Sequence, residues 1–173
     1  MHTRIAGCIA TLAIVASVAL AVNASGASAQ SSPSTTYVKQ SLTLSAANAA
    51  VAASLAKSSE LGVLSVVAVY DEGGVLKALA TMDRARFTSV QFAQDKAWTA
   101  ARRQIATQDL ADAYGMLPDV MWQSLLKQPQ VSLVGGGMPI VVDGQVVGGI
   151  GSSGGTIAQD TEIVAAGLAA IPR

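Results

Sequence analysis

The sequence predicts an α+β fold: a single domain in which an antiparallel sheet built from hairpins has helices packed against it. Three observations predict it. In the run Gly135 to Gly155 two β-branched apolar segments flank Asp143-Gly144, a pair that favours the positive φ values of a tight type I′ turn. Leu64 to Tyr70 is continuously apolar, Asp71-Glu72-Gly73-Gly74 is a turn, and Val75 to Met82 alternates, which makes a second hairpin. The segments around the two hairpins have helical spacing. Tight hairpins imply antiparallel pairing, and about four to six strands leave the helices mainly on one side of the sheet.

The N-terminus sets His2 and Arg4 before an apolar run from Ile5 to Val22, then small residues ending in Ala27-Ser28-Ala29 before Gln30. This is the pattern of a secretory signal peptide over residues 1–29, with no stable membrane anchor after cleavage and a secreted or periplasmic destination. Ile5-Ala6-Gly7-Cys8 resembles a lipoprotein box only superficially, because most of the apolar run follows Cys8 instead of preceding it. Residues 30–41 are polar and Ser/Thr-rich with Pro33, a flexible leader. The domain proper is expected over residues 42–172.

Within it, Ser45 is placed to cap a helix running to about Leu61, with Leu44, Val51 and Leu55 on one face and Gly62 ending it. The first hairpin follows. Thr88 or Ser89 then caps a helix to about Ile105, with Val90, Ala93, Ala97, Ala101 and Ile105 toward the core. Thr107 opens a further helix that ends before Gly115, and Pro118 suits the first turn of a short helix carrying Met121, Trp122, Leu125 and Leu126. The second hairpin and a helix from Ile157 to Ile171 close the chain.

Composition excludes much chemistry. The only cysteine, Cys8, and the only histidine, His2, lie in the segment expected to be removed. The mature chain is left without a disulfide framework, a Cys or His zinc site, a Cys nucleophile or a Ser-His-Asp triad. Formal net charge is +0, with no basic cluster beyond Arg102-Arg103, so nucleic-acid binding has no electrostatic support.

Two groups of residues carry possible binding chemistry. Phe92, Lys96, Thr99 and Arg103 fall at spacings of three or four along one helix. A ring, a cation, a hydroxyl and a second cation suit a flat acidic ligand, whereas a solvated helix face is the plainer reading of the same pattern. Gly149-Ile150-Gly151-Ser152-Ser153-Gly154 matches G-x-G-x-x-G, but too little chain follows for a βαβ unit, so close packing at a strand end is preferred to a dinucleotide site. Ser152, Ser153, Gly154 and Thr156 precede a helix whose free N–H groups suit an anion, and Arg84 and Arg86, where strand passes into helix, could join them or face water. Trp98 and Trp122 are read as core or interface residues, and Asp71 as a turn residue.

The chain resembles the GlcG/HbpS-like family, which includes the C-terminal domain of PduO-type proteins, over about Leu42 to Ile171. The residues that carry the resemblance are Leu44-Ser45-Ala46-Ala47, Val67 to Gly74, Asp95-Lys96-Ala97-Trp98-Thr99-Ala100, Gly135 to Ile140, and Gly148 to Gly154 with Gln159-Asp160. It implies a sandwich-like domain that forms homo-oligomers and, in secreted relatives, binds or handles haem as a binder more than as a turnover enzyme. It also implies that the helix with Lys96 to Ala100 faces the ligand, which favours Thr99, Lys96 and Phe92; joined to the helix-face spacing, this makes Thr99 the expected iron-side hydroxyl and Lys96 and Arg103 the expected carboxylate partners. Without a mature histidine, an oxygen ligand must come from Thr99 or from Tyr37, Tyr70 or Tyr114. Two other readings stay open: a binder or enzyme for a small carboxylate related to glycolate metabolism, and a structural oligomer without a small ligand.

Overall fold

The computed structural model describes residues 35–172. The signal-peptide reading of residues 1–29, and with it His2 and Cys8, lies outside the described residues, as does the leader up to residue 34. Val38–Arg173 form one compact unit. Among the described residues no helix is long and apolar enough to cross a membrane.

The elements run α1 (Leu44–Glu60), β1 (Val66–Asp71), β2 (Leu76–Thr81), α2 (Phe87–Arg103), α3 (Thr107–Gly115), α4 (Asp119–Leu126), β3 (Gly137–Val142), β4 (Gln145–Ser153) and α5 (Ile157–Ala169). Both hairpins form as their turn residues dictate. In the first, Asp71 Oδ1 accepts the Val75 N–H at 2.9 Å and Gly74 takes φ 84°. In the second, Asp143 and Gly144 take φ 49° and 75°, the two positive values that a type I′ turn needs. The hairpins join through β1 and β4, so the sheet is antiparallel throughout in the order β2-β1-β4-β3.

The α+β class and antiparallel sheet match expectation, but the helices occupy both faces. Val67, Val69, Ile140, Val147 and Ile150 meet Ala47, Ala50 and Val51 of α1 and Ile163 and Val164 of α5 on one face. Val66, Ala68 and Tyr70 meet Ala93, Ala97 and Ala101 of α2 on the other. The second layer is built by subtraction. Gly149 and Gly151 bring bare backbone against α2, where a Cβ on Gly149 would collide with Ala97 O and Ala101 N and one on Gly151 would lie 2.6 Å from Ala97 N.

The helix ends differ from the sequence reading in detail. Thr43, not Ser45, caps α1, its Oγ1 accepting the Ala46 N–H at 3.2 Å. Leu44, expected on the apolar face, is exposed, while Val51 is buried. The helix α2 starts at Phe87, ahead of Thr88 and Ser89, and Arg86 at its N-cap gives no side-chain cap.

Tyr70 reports on the α2 layer. Its hydroxyl donates to Gln94 Oε1 at 3.2 Å, and burial first, then the Asp95 charge, hold its phenol above the usual value. A group whose folded pKa is raised gives stability that is complete below its unfolded value, about 10, and lost as pH rises through the folded value. Urea midpoints at about pH 9 and about pH 11 should therefore fall less in Tyr70→Phe than in the parent. An equal fall in both would remove Tyr70 as the cause.

Candidate functional site

The α2 flank that carries Phe92, Lys96, Thr99 and Arg103 faces β3 and the segment that leads into it. The structure brings these four residues onto one stripe, as their spacing requires, but gives each a different role. Lys96 turns inward. At 2 % exposure, its Nζ donates to Ser152 O at 2.9 Å and to Asp160 Oδ2 at 2.8 Å, and Asp160 is 3 % exposed. The second Asp160 oxygen accepts the Gly155 N–H at 3.1 Å. Gly136, at φ 104°, passes so close that a Cβ there would lie 2.7 Å from Asp160 Cβ and 3.1 Å from Lys96 Nζ.

Thr99 is fully buried. Its Oγ1 accepts the Ser132 N–H at 2.8 Å and donates to Gln130 O at 3.1 Å. Arg103 donates to Gln128 Oε1. Both residues thus hold the stretch Gln128–Ser132 over α2, and neither Thr99 nor Lys96 offers a free polar atom in this conformation. Thr107 continues the same seam, accepting the Gly137 N–H at 3.0 Å and donating to Val134 O at 2.8 Å.

Phe92 is the open end of the stripe. It is 50 % exposed and Phe87, five residues earlier, is 91 % exposed. With Thr88, Val90 and Gln91 they line a shallow cleft of about 370 Å³ whose surface is mostly apolar. The end of α2 beside it is electropositive, because the helix has no acidic residue in its first turn and no side chain caps its first N–H groups. Arg84, at φ 66°, and Arg86 stand immediately before Phe87 in the chain and are exposed. A cap at Thr88 or Ser89 leaves Phe87 outside the helix, whereas the structure makes it the first residue of α2.

The glycine-rich end of β4 is organised inward. Thr156 and Gln159 form a capping box on α5, and Asp160 takes the Gly155 N–H. Arg86 donates to Gly154 O at 2.9 Å. Ser152 and Ser153 are buried, and Ser152 Oγ has no partner in the structure. The Gly155, Thr156 and Gln159 N–H groups are thus taken by the chain's own side-chain oxygens. Among the described residues no three His, Cys, Asp or Glu side chains converge as a metal site would require. Asp160 was visible in the sequence only as part of a family pattern. No local signal pairs it with Lys96, which lies 64 residues earlier.

Residues 42–169 match the family described as haem degrading protein HbpS-like. The chain belongs to the HbpS-like family. It is 35 % identical over 119 residues to an uncharacterised 15.0 kDa protein of Citrobacter freundii from the dhaT-dhaS intergenic region, covering 69 % of this chain and 84 % of that one. The crystal structure of HbpS is similar with a TM-score of 0.73 and 28 % identity, over 80 % of this chain and 96 % of that one. A PduOC:heme complex is similar with a TM-score of 0.70 and 32 % identity, over 76 % and 95 %. One of these similar structures is a heme complex; in the present chain Phe87 and Phe92 are the exposed aromatic residues of α2.

Proposed function

We propose that this HbpS-like protein is a secreted, homo-oligomeric haem binder that receives the ligand at the open end of the α2 stripe. The observation that carries the reading is the apolar cleft of Phe87, Val90 and Phe92 at an electropositive helix end. Haem is a flat apolar ring with two carboxylates, so it needs both features side by side. Phe87 and Phe92 cover the ring, while Arg84, Arg86 and the uncapped N–H groups of α2 meet the carboxylates. When bound, haem supplies one-electron and oxygen chemistry of its own, and the protein supplies binding and orientation. The residues that fit it are those at the cleft. Lys96 and Thr99 act at one remove, through Asp160 and the Gln128–Ser132 stretch.

A haemin titration of the purified protein, followed at the Soret band, tests this reading. Saturable stoichiometric binding is expected, weakened roughly tenfold by Phe92→Ala through the loss of about 1.5 kcal/mol of ring burial. Absence of any band beyond that of free haemin would sink it. Loss of the shifted band in Thr99→Ala, with the fold intact and Phe92→Ala unaffected, would move the ligand along the stripe to Thr99, the hydroxyl that family resemblance favours.

A further inference from the structure

The chain between α3 and β3 is attached to the domain in an unusual way. Within α4 only Leu125 is buried, while Val120, Met121 and Leu126 are exposed, as is Met116 before it. A cleft of about 340 Å³ separates Tyr114 from the α4 side chains Val120, Met121 and Leu125. Its apolar contacts with the layers are few. What binds this segment to the domain at its far end is polar: Thr99 to Gln130 and Ser132, and Arg103 to Gln128. Gln130 takes φ 63° there, a left-handed conformation that a side chain disfavours. Sparse burial, a few hydrogen bonds and a strained residue are the features of a segment that opens locally at low free energy.

We propose that residues 116–132 are a flap latched by Thr99 over the Thr99 and Arg103 end of the α2 stripe, and that a ligand reaches that end when the latch opens. The ligand half rests on the haem reading. The latch does not. A single hydroxyl satisfies both Gln130 O and Ser132 N–H, so releasing it frees two backbone groups and the flap loses its catch in one step. Thr99 is in this sense a positioning residue, and access to the stripe is set by the equilibrium of the flap.

Hydrogen–deuterium exchange of the whole protein, with and without haemin, tests both halves. In the parent, peptides from residues 116–132 should exchange well ahead of those from α2 and α5. Thr99→Val should speed flap exchange roughly tenfold and leave α5 unchanged, and Thr99→Ser should restore the parent rate. A flap as protected as α5, or a Thr99→Val variant that loosens every element equally, would overturn the latch. Added haemin should speed exchange around Gln128–Ser132, and slower exchange there would overturn ligand-coupled opening. If haemin does not bind, the haem reading fails while the Thr99→Val comparison still decides the latch.

Discussion

Lys96→Met should destabilise the domain by about 3–5 kcal/mol, the usual cost of stranding one partner of a buried ion pair. The variant leaves the Asp160 carboxylate 3 % exposed with the Gly155 N–H as its remaining partner, and it also removes the donor to Ser152 O. Charge, not volume, is at stake, because a methionine fills most of the space of a lysine stem. The double variant Lys96→Met/Asp160→Leu should recover most of the loss, since replacing both members of a buried pair by apolar groups is often neutral. Urea unfolding of the two single variants and the double gives the coupling directly. A double variant no more stable than Lys96→Met would mean that the pair is not what Lys96 contributes.

Gly149→Ala should cost about 3 kcal/mol, the upper end of the range for overpacking. The added Cβ meets Ala97 O and Ala101 N, which are helix backbone and cannot rotate away. Either α2 rises from the sheet along its length or the strand bends, and both open the contacts of Ala93, Ala97 and Ala101. The melting temperature should drop by roughly 10 °C. Gly144→Ala is the contrasting substitution. Its φ is 75° but nothing lies within 4 Å of the new Cβ, so only backbone strain of about 1 kcal/mol applies. Equal losses at the two positions would show that helix-to-sheet distance does not limit the fold.

The hairpins were legible because Asp143-Gly144 and Asp71 to Gly74 demand particular backbone angles, and those angles specify the strands on either side. The second face of the sheet was not. Hydrophobic patterning detects large apolar side chains, and the α2 interface is made from alanines against Gly149 and Gly151, which carry almost no such signal. The same limit applied to the site. Spacing placed Phe92, Lys96, Thr99 and Arg103 on one stripe, but neither the ligand-facing nor the solvated reading foresaw that Lys96 turns to Asp160 and Thr99 to Gln130 and Ser132. Those partners are set by tertiary structure at separations of 31 to 64 residues. Thr43 displaced Ser45 as the cap of α1 because both are hydroxyl residues two positions apart, and position alone decides which one lies outside the first turn.

The Lys96–Asp160 pair joins α2 on one face of the sheet to α5 on the other, and this bears on the order in which the molecule forms. Closing a loop of 64 residues costs about 4 kcal/mol of chain entropy beyond a constant, so the contact cannot nucleate folding. Each hairpin, and α1 on the first hairpin, can assemble from contacts closer in sequence. The pair then closes after α5 has docked. Docking of α5 is what brings Asp160 to the Lys96 ammonium, so the pair ties the final stability of the α2 layer to that of the α5 layer.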